Sequence, residues 1–289
     1  MTNNSQPYFI EIEIGTYCNR VCSWCPNGWD NRGKKKDFMS QELWEKIISD
    51  LSRENYSGWL AFHNYNEPLT DPTIFEKIKF VNKQLPNSKT AIYTNGDYLN
   101  KETSTKLINL EIKEIRVTLY PMQKEIFIQQ TDDKILNLIS DLNFSIDKPN
   151  IIDGKRGRET KFKINQTTFH IIIPNIKGYT DRAGKVEIEE LKLSSIRQQP
   201  CYLPSHSAAI DYKGNLKLCC QVYDVATSEY SDYNIGNISS VNFWDLWNSD
   251  KMKNYRAYAT QGKFETMKVC QLCSHSISEE QIKNVNSLL

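Results

Sequence analysis

"EIEIGTYCNRVCSWCPN" (residues 11–27) joins a strand-like alternation of acidic and apolar residues to three cysteines, Cys18, Cys22 and Cys25, at a C-x3-C-x2-C spacing. The alternation begins at "FIEIEIG" (9–15), so the cysteines sit on a loop directly after a strand. A tetrahedral zinc site or an ordinary iron–sulfur cluster takes four protein ligands, and no fourth donor stands nearby. The stretch therefore offers either a cluster with one open coordination position or a zinc knuckle that borrows a distant ligand.

Strand and helix patterns alternate downstream. Ser40 is an N-cap for a helix whose Leu43, Trp44, Ile47, Ile48 and Leu51 recur at helical spacing, and "GWLAFH" (58–63) is a second strand. Asp71-Pro72 starts a helix with Ile74, Phe75, Ile78 and Val81 on its buried face. "TAIYT" (90–94) is a strand ending at Asn95-Gly96, 101–110 a helix, "EIRVTL" (114–119) a strand, 132–142 a helix and "HIIIP" (170–174) a strand. Such repetition predicts parallel strands with helices outside and ligands at the C-terminal strand ends. Between about 145 and 165 the pattern lapses into a polar, basic excursion, expected as an exposed or mobile loop. After 195 the style changes: "AAIDYKGNLKLCC" (208–220) predicts a hairpin turning at 213–215, and 241–259 predicts one amphipathic helix. Two domains are expected, 1–195 and 196–289.

Bulk properties narrow the function. The 289 residues carry 36 Lys and Arg against 35 Asp and Glu, a formal charge of +1 that gives no general attraction for nucleic acid or an anionic membrane. No segment approaches eighteen consecutive apolar residues and the start lacks a basic-then-apolar leader, which predicts a soluble cytoplasmic protein. In a reducing compartment, eight cysteines are read as metal ligands or reactive groups rather than disulfides. The partner is expected to be a small molecule or a peptide.

The cysteine spacing, Trp24 just before its last cysteine, and its position after the first strand together resemble the radical S-adenosylmethionine (SAM) superfamily. The resemblance implies a partial (β/α)6 barrel and a 4Fe-4S cluster on Cys18, Cys22 and Cys25. Its fourth iron would chelate SAM for reductive cleavage to a deoxyadenosyl radical, with an electron from a donor such as flavodoxin or ferredoxin. "NYNEP" (64–68) stands where the superfamily carries a Gly-Gly-Glu-Pro type motif, with Asn66 in place of glycine, so Glu67 is expected to accept from the methionyl amine. "YTNG" (93–96) resembles the next strand end, so Thr94 and Asn95 are expected at the ribose or methionyl group, with Thr118 and Trp24 in the same cofactor-binding set.

The later cysteines give a second signal. Cys201, Cys219, Cys270 and Cys273 supply four thiolates, enough to close a cluster or a structural zinc site. With the hairpin and helix they resemble the Twitch version of the SPASM extension, a small α+β domain, which implies a second 4Fe-4S cluster. "TDRAG" (180–184) resembles a segment of Twitch dehydrogenases whose arginine lies beside the substrate carbon, which implies that role for Arg182. Cys220, directly after Cys219, is either a packing thiol or, as in some Twitch-type peptide epimerases, a hydrogen donor. The implied function is two-electron oxidation of a carbinol in natural-product biosynthesis. Peptide epimerisation is the main alternative, and a non-catalytic metal-binding module ranks below both.

Overall fold

Isoleucines at 10, 12 and 14 are fully buried on one face of the first strand, while Glu11 and Glu13 occupy the other, as a period of two requires. That division recurs along the chain and organises the molecule. The computed structural model describes residues 6–121, 131–146 and 148–275. In chain order it contains β1 (Phe9–Ile12), α1 (Gln41–Arg53), β2 (Trp59–Ala61), α2 (Ile74–Gln84), β3 (Lys89–Thr94), α3 (Lys101–Asn109), β4 (Glu114–Thr118) and α4 (Asp132–Asp141). These are followed by β5 (Ile151–Gly154), β6 (Gly157–Ile164), β7 (Thr167–Pro174), α5 (Leu203–His206), β8 (Ser207–Ile210), β9 (Asn215–Lys217), β10 (Asn234–Asn237), α6 (Phe243–Trp247), α7 (Asp250–Gln261) and α8 (Lys268–Leu272).

All ten strands join one sheet in the order β10-β9-β8-β1-β2-β3-β4-β7-β6-β5. Six neighbours, β8-β1-β2-β3-β4-β7, run parallel. Five of them come from residues 9–174; the sixth, β8, returns from the C-terminal part and seats Ala208 opposite Ile10. Ile10, Leu60, Ile92, Ile115 and Ile171 face the helices and pack with Trp44, Ile47, Ile78, Leu107 and Ile135 in one core. Each such side chain contributes about 1.5–3 kcal/mol by leaving water. Glu11, Tyr93, Arg116 and Ile172 take the opposite face and line a cavity. A parallel sheet usually reads apolar on both faces; polar residues at alternate positions mark the face that holds a ligand.

Three local expectations change. The 145–165 stretch is no loose excursion: apart from Asp147, which lies outside the described residues, it carries β5 and β6, a hairpin whose β6 runs antiparallel to β7. Glu159, Lys161 and Lys163 hide the alternation of Phe162 and Ile164, and Phe162 stacks on Phe169 at 5.4 Å between ring centres. The single helix over 241–259 is two, α6 and α7, because Ser249 accepts from Met252 N and restarts the helix. Asp71 accepts from Thr73 N (2.8 Å) and holds Lys77 (2.8 Å), so α2 begins at Ile74, after a turn rather than at Pro72. The hairpin at 213–215 forms as expected, between β8 and β9.

Candidate active site

The cysteine loop leaves β1 and is pinned by its own backbone. Cys18 N donates to Gly33 O (3.0 Å), Cys25 N to Cys22 O (3.1 Å) and Gly28 N to Cys25 O (2.8 Å). A side chain at residue 28 would place its Cβ 2.3 Å from Cys22 O, so only glycine lets the loop close on itself. Asn27 anchors it below, donating to Tyr65 O (2.6 Å) and accepting from the Tyr223 hydroxyl (2.7 Å). Trp24 is buried against Tyr120 and Tyr179, with ring centres 5.5 and 5.0 Å away. Burial pushes the Cys18 thiol up to about 12 and raises Cys22 and Cys25 as well. Ligation needs thiolates, so a cluster held here would have to draw the protons off.

Glu67 lies on the loop after β2, capping the short turn Pro68–Thr70, inside the cavity wall. Its Oε1 accepts from Leu69 N (3.1 Å) and the Thr94 hydroxyl (2.7 Å), and its Oε2 from Asn95 N (2.8 Å). A carboxylate has about four acceptor positions, so one stays open for a ligand donor. Desolvation raises its pKa to about 7 against the pull of those donors. Asn95 reaches from Glu67 back to the cysteine loop, donating to Asn19 Oδ1 (2.9 Å) and lying 3.8 Å from Cys18 Sγ. Asn66 keeps a negative φ, so its replacement of the motif's glycine carries no left-handed strain, and its buried Oδ1 has no partner.

One cavity of about 460 Å³ is lined by all three cysteines together with Trp24, Glu67, Thr94, Asn95, Thr118, Arg182 and Cys220. Arg182 stands on an unusual turn: Arg182 and Ala183 both take left-handed backbone (φ 51° and 54°), a conformation that costs a side-chain-bearing residue about 1–3 kcal/mol. Asp181 supports it, its Oδ1 accepting from Ser274 N (2.8 Å) and the Ser274 hydroxyl (2.9 Å). The guanidinium lies 5.6 Å over the Tyr65 ring. The Cys220 thiol is buried, and desolvation followed by the Glu11 carboxylate raises its pKa, which keeps it protonated.

Cys201, Cys219, Cys270 and Cys273 come from three separate stretches, and the other three lie within electrostatic range of Cys219. The nearest charges acting on Cys219, after burial itself, are the other three thiols. Burial pushes Cys273 up to about 12, and Arg197 draws Cys270 and Cys273 down in part. Among the described residues, no three His, Cys, Asp or Glu side chains converge as the ligands of a single ion would. The donor chemistry fits iron–sulfur clusters, whose corners are held several ångströms apart: an all-thiolate set of four around Cys219, and a set of three facing the cavity.

The structure adds residues that spacing did not single out. Glu13 is fully buried and bound by Arg32 through two contacts (2.9 and 2.5 Å), tying β1 to the cysteine loop. Arg20 pairs with Asp97 (2.5 Å) and bridges to Tyr120 O (3.2 Å). Glu11, His63, Tyr93, Arg116, Arg156 and His275 complete the wall. The alternation in "FIEIEIG" and "EIRVT" carried part of this signal, since Glu11, Glu13 and Arg116 fall on the face opposite the isoleucines.

Comparison with known proteins bears on the fold and on the C-terminal region. Residues 201–274 match the SPASM iron–sulfur cluster-binding domain. The chain is 25% identical, over 94% of its length and 95% of the relative's, to the S-adenosyl-L-methionine-dependent 2-deoxy-scyllo-inosamine dehydrogenase of Niallia circulans. Its fold matches a crystal structure of BtrN in complex with AdoMet and 2-DOIA (21% identity, 96% and 97% of the two chains, TM-score 0.70). It also matches native anSMEcpe with bound AdoMet (13% identity, 92% and 89%, TM-score 0.55). The chain thus has the mixed α/β fold of radical SAM enzymes with a C-terminal SPASM-type domain. Among the described residues no helix is long and apolar enough to cross a membrane.

Proposed function

We propose that this chain is a radical SAM oxidoreductase that removes hydrogen from a small-molecule or peptide substrate held beside Arg182, completing a two-electron oxidation such as carbinol to carbonyl in natural-product biosynthesis. The supporting observation is the shared cavity: Cys18, Cys22, Cys25, Glu67, Arg182 and Cys220 line one space. Cys18, Cys22 and Cys25 hold the catalytic 4Fe-4S cluster, and Cys201, Cys219, Cys270 and Cys273 the auxiliary one, in a domain that begins near residue 196. When bound, the catalytic cluster and SAM together supply a deoxyadenosyl radical by reductive cleavage, the electron coming from a donor such as flavodoxin or ferredoxin.

The protein's own residues bind, orient and shield. Glu67 uses its remaining acceptor position for the cofactor amine, while Thr94 and Asn95 fix the carboxylate and face the same ligand. Trp24 and Thr118 close the wall on either side. Arg182 holds the substrate, the Glu11 carboxylate on the same wall accepts the hydroxyl proton that a carbinol releases, and the auxiliary cluster held by Cys201, Cys219, Cys270 and Cys273 would supply the acceptor for the remaining electron. The aromatic layer of buried Trp24 with half-buried Tyr120 and Tyr179 keeps water from a reactive carbon centre. Anaerobic reconstitution is expected to give about eight irons per chain and deoxyadenosine on reduction with SAM present. Iron binding without any SAM cleavage in repeated preparations would leave a metal-binding module instead.

A second reading rests on one observation: the protonated Cys220 thiol lines the cavity beside Glu11. As a hydrogen donor it makes the enzyme an epimerase. Products formed in deuterium oxide decide between them. An oxidation gives a product lighter by two hydrogens in both wild type and Cys220→Ala; one deuterium on carbon, lost in Cys220→Ala, establishes epimerisation.

A further inference from the structure

The β5–β6 hairpin ends in a turn whose Arg156 reaches the cavity that holds Arg182. The turn is built to stay there. Asn175 N donates to Arg156 O (2.8 Å), and a Cβ at Gly157 would meet Ile173 O at 2.0 Å, so this glycine, at φ 140°, lets the hairpin lie directly on β7. Arg158, the next residue but one, is bound by Asp132 and Asp153.

Arg116, on the same wall, is neutralised by Glu114 at 2.8 Å. Arg156 and Arg182 are not. Among the described residues neither side chain forms an ion pair or a side-chain hydrogen bond, and the Arg182 guanidinium lies over the face of Tyr65. The acid closest in sequence to Arg156, Glu159, is taken by His170 at 2.8 Å. The strongest charged neighbours of Arg156 are Arg116, Tyr93, Arg182 and Glu159, with no cysteine among them. Arg156 and Arg182 thus line the same cavity within range of one another's charge. Two unpaired guanidiniums in a partly dry space repel one another unless an anion lies between them, and their planar forks match a carboxylate or phosphate.

We propose that the substrate carries an anionic group, a carboxylate or a phosphate, clamped between Arg156 on the hairpin turn and Arg182 on the 181–184 turn. The inference deepens the oxidoreductase reading and rests on its placement of the substrate. It also sets this site apart from one built for a cationic aminocyclitol, because the hairpin brings a second positive charge rather than an acid to the cavity.

The test uses the anaerobically reconstituted full chain with saturating SAM, so that the cofactor's own carboxylate does not compete. Calorimetry measures binding of inorganic phosphate, of acetate and of the cationic 2-deoxy-scyllo-inosamine. One or both anions are expected to bind, the tighter assigning the group, with affinity at least tenfold weaker in Arg156→Gln and in Arg182→Gln and partly kept in Arg156→Lys. Iron content per chain shows that each variant is folded and loaded. Equal anion affinity in wild type and Arg156→Gln, no anion binding, or binding of the inosamine in preference to both anions overturns the proposal. Deoxyadenosine formation on the same samples is a separate readout: its absence refutes the oxidoreductase reading and leaves the anion result standing.

Discussion

The two cysteine sets are made of the same side chain in similarly buried settings, yet they are arranged for opposite ends. Cys201, Cys219, Cys270 and Cys273 have one another as neighbours, with the 181–184 turn stapled across them through Asp181 and Ser274. Cys18, Cys22 and Cys25 instead open onto a cavity of about 460 Å³, across which stands a carboxylate with an acceptor position to spare. A closed ligand set stabilises a fold or passes an electron; an incomplete one admits a reactant. The contrast also explains why the loop is so heavily pinned. A three-point site lacks the cross-link that a fourth ligand gives, and Gly28, Asn27 and the Arg32–Glu13 pair supply rigidity in its place.

Removing each set in turn gives the largest effects and separates them most sharply. Changing Cys18, Cys22 and Cys25 together to Ala is expected to lower iron by about four per chain and abolish deoxyadenosine formation, leaving the C-terminal cluster spectroscopically intact. Changing Cys270 and Cys273 to Ala is expected to remove the other four or so irons and to lower the unfolding temperature by several degrees, because ligand binding there is also folding energy. Retained SAM cleavage in the first variant would break the contrast between open and closed sets.

A smaller effect tests the open side alone. Glu67→Gln keeps the shape of the side chain but turns one acceptor into a donor facing Asn95 N or Thr94, and it removes the charge offered to the cofactor amine. Charge-assisted hydrogen bonds contribute about 1.5–3 kcal/mol, so SAM affinity is expected to fall about ten- to a hundredfold with both clusters still in place. Unchanged affinity by calorimetry removes Glu67 from the cofactor site.

How far the sequence reveals this contrast depends on where the information sits. The cysteine spacing and the residues at or after strand ends, Glu67, Thr94 and Asn95, are local patterns, and the structure gathers all of them at one cavity. The parallel strands of residues 9–174 are legible from the isoleucine and leucine periodicity. The β5–β6 hairpin is not, since charged residues on its cavity face dilute the alternation that Phe162 and Ile164 carry. The pairing of β8 with β1 is equally hidden, because it joins residues about two hundred apart through main-chain hydrogen bonds that no side-chain pattern encodes. Arg156 was missed for the same reason: its role depends on which strand its hairpin lies against.

The smallest expected effect is on stability, and it arises from holding an ionisable acid ready on the open side. Burial lifts the Glu67 pKa to about 7, above the value near 4.5 of an exposed glutamate. The folded state therefore binds this proton more tightly than the unfolded one. The associated stability is fully present below about pH 4.5 and is lost as pH rises through about 7, a change of about 3 kcal/mol. Thiolates held by the clusters also take up protons on unfolding, but they do so equally in wild type and in Glu67→Gln, so the difference between the two pH profiles isolates the carboxylate. In cluster-loaded, SAM-free protein the unfolding temperature of wild type is expected to fall by several degrees relative to that of Glu67→Gln, whose amide does not titrate, between pH 5.5 and 8. Saturating SAM should reverse the trend in wild type, since the ionised carboxylate then gains the donor for which its acceptor position was left open. An identical pH profile in wild type and Glu67→Gln shows that the carboxylate is held by its three protein donors alone, and the open side then reduces to its cysteines.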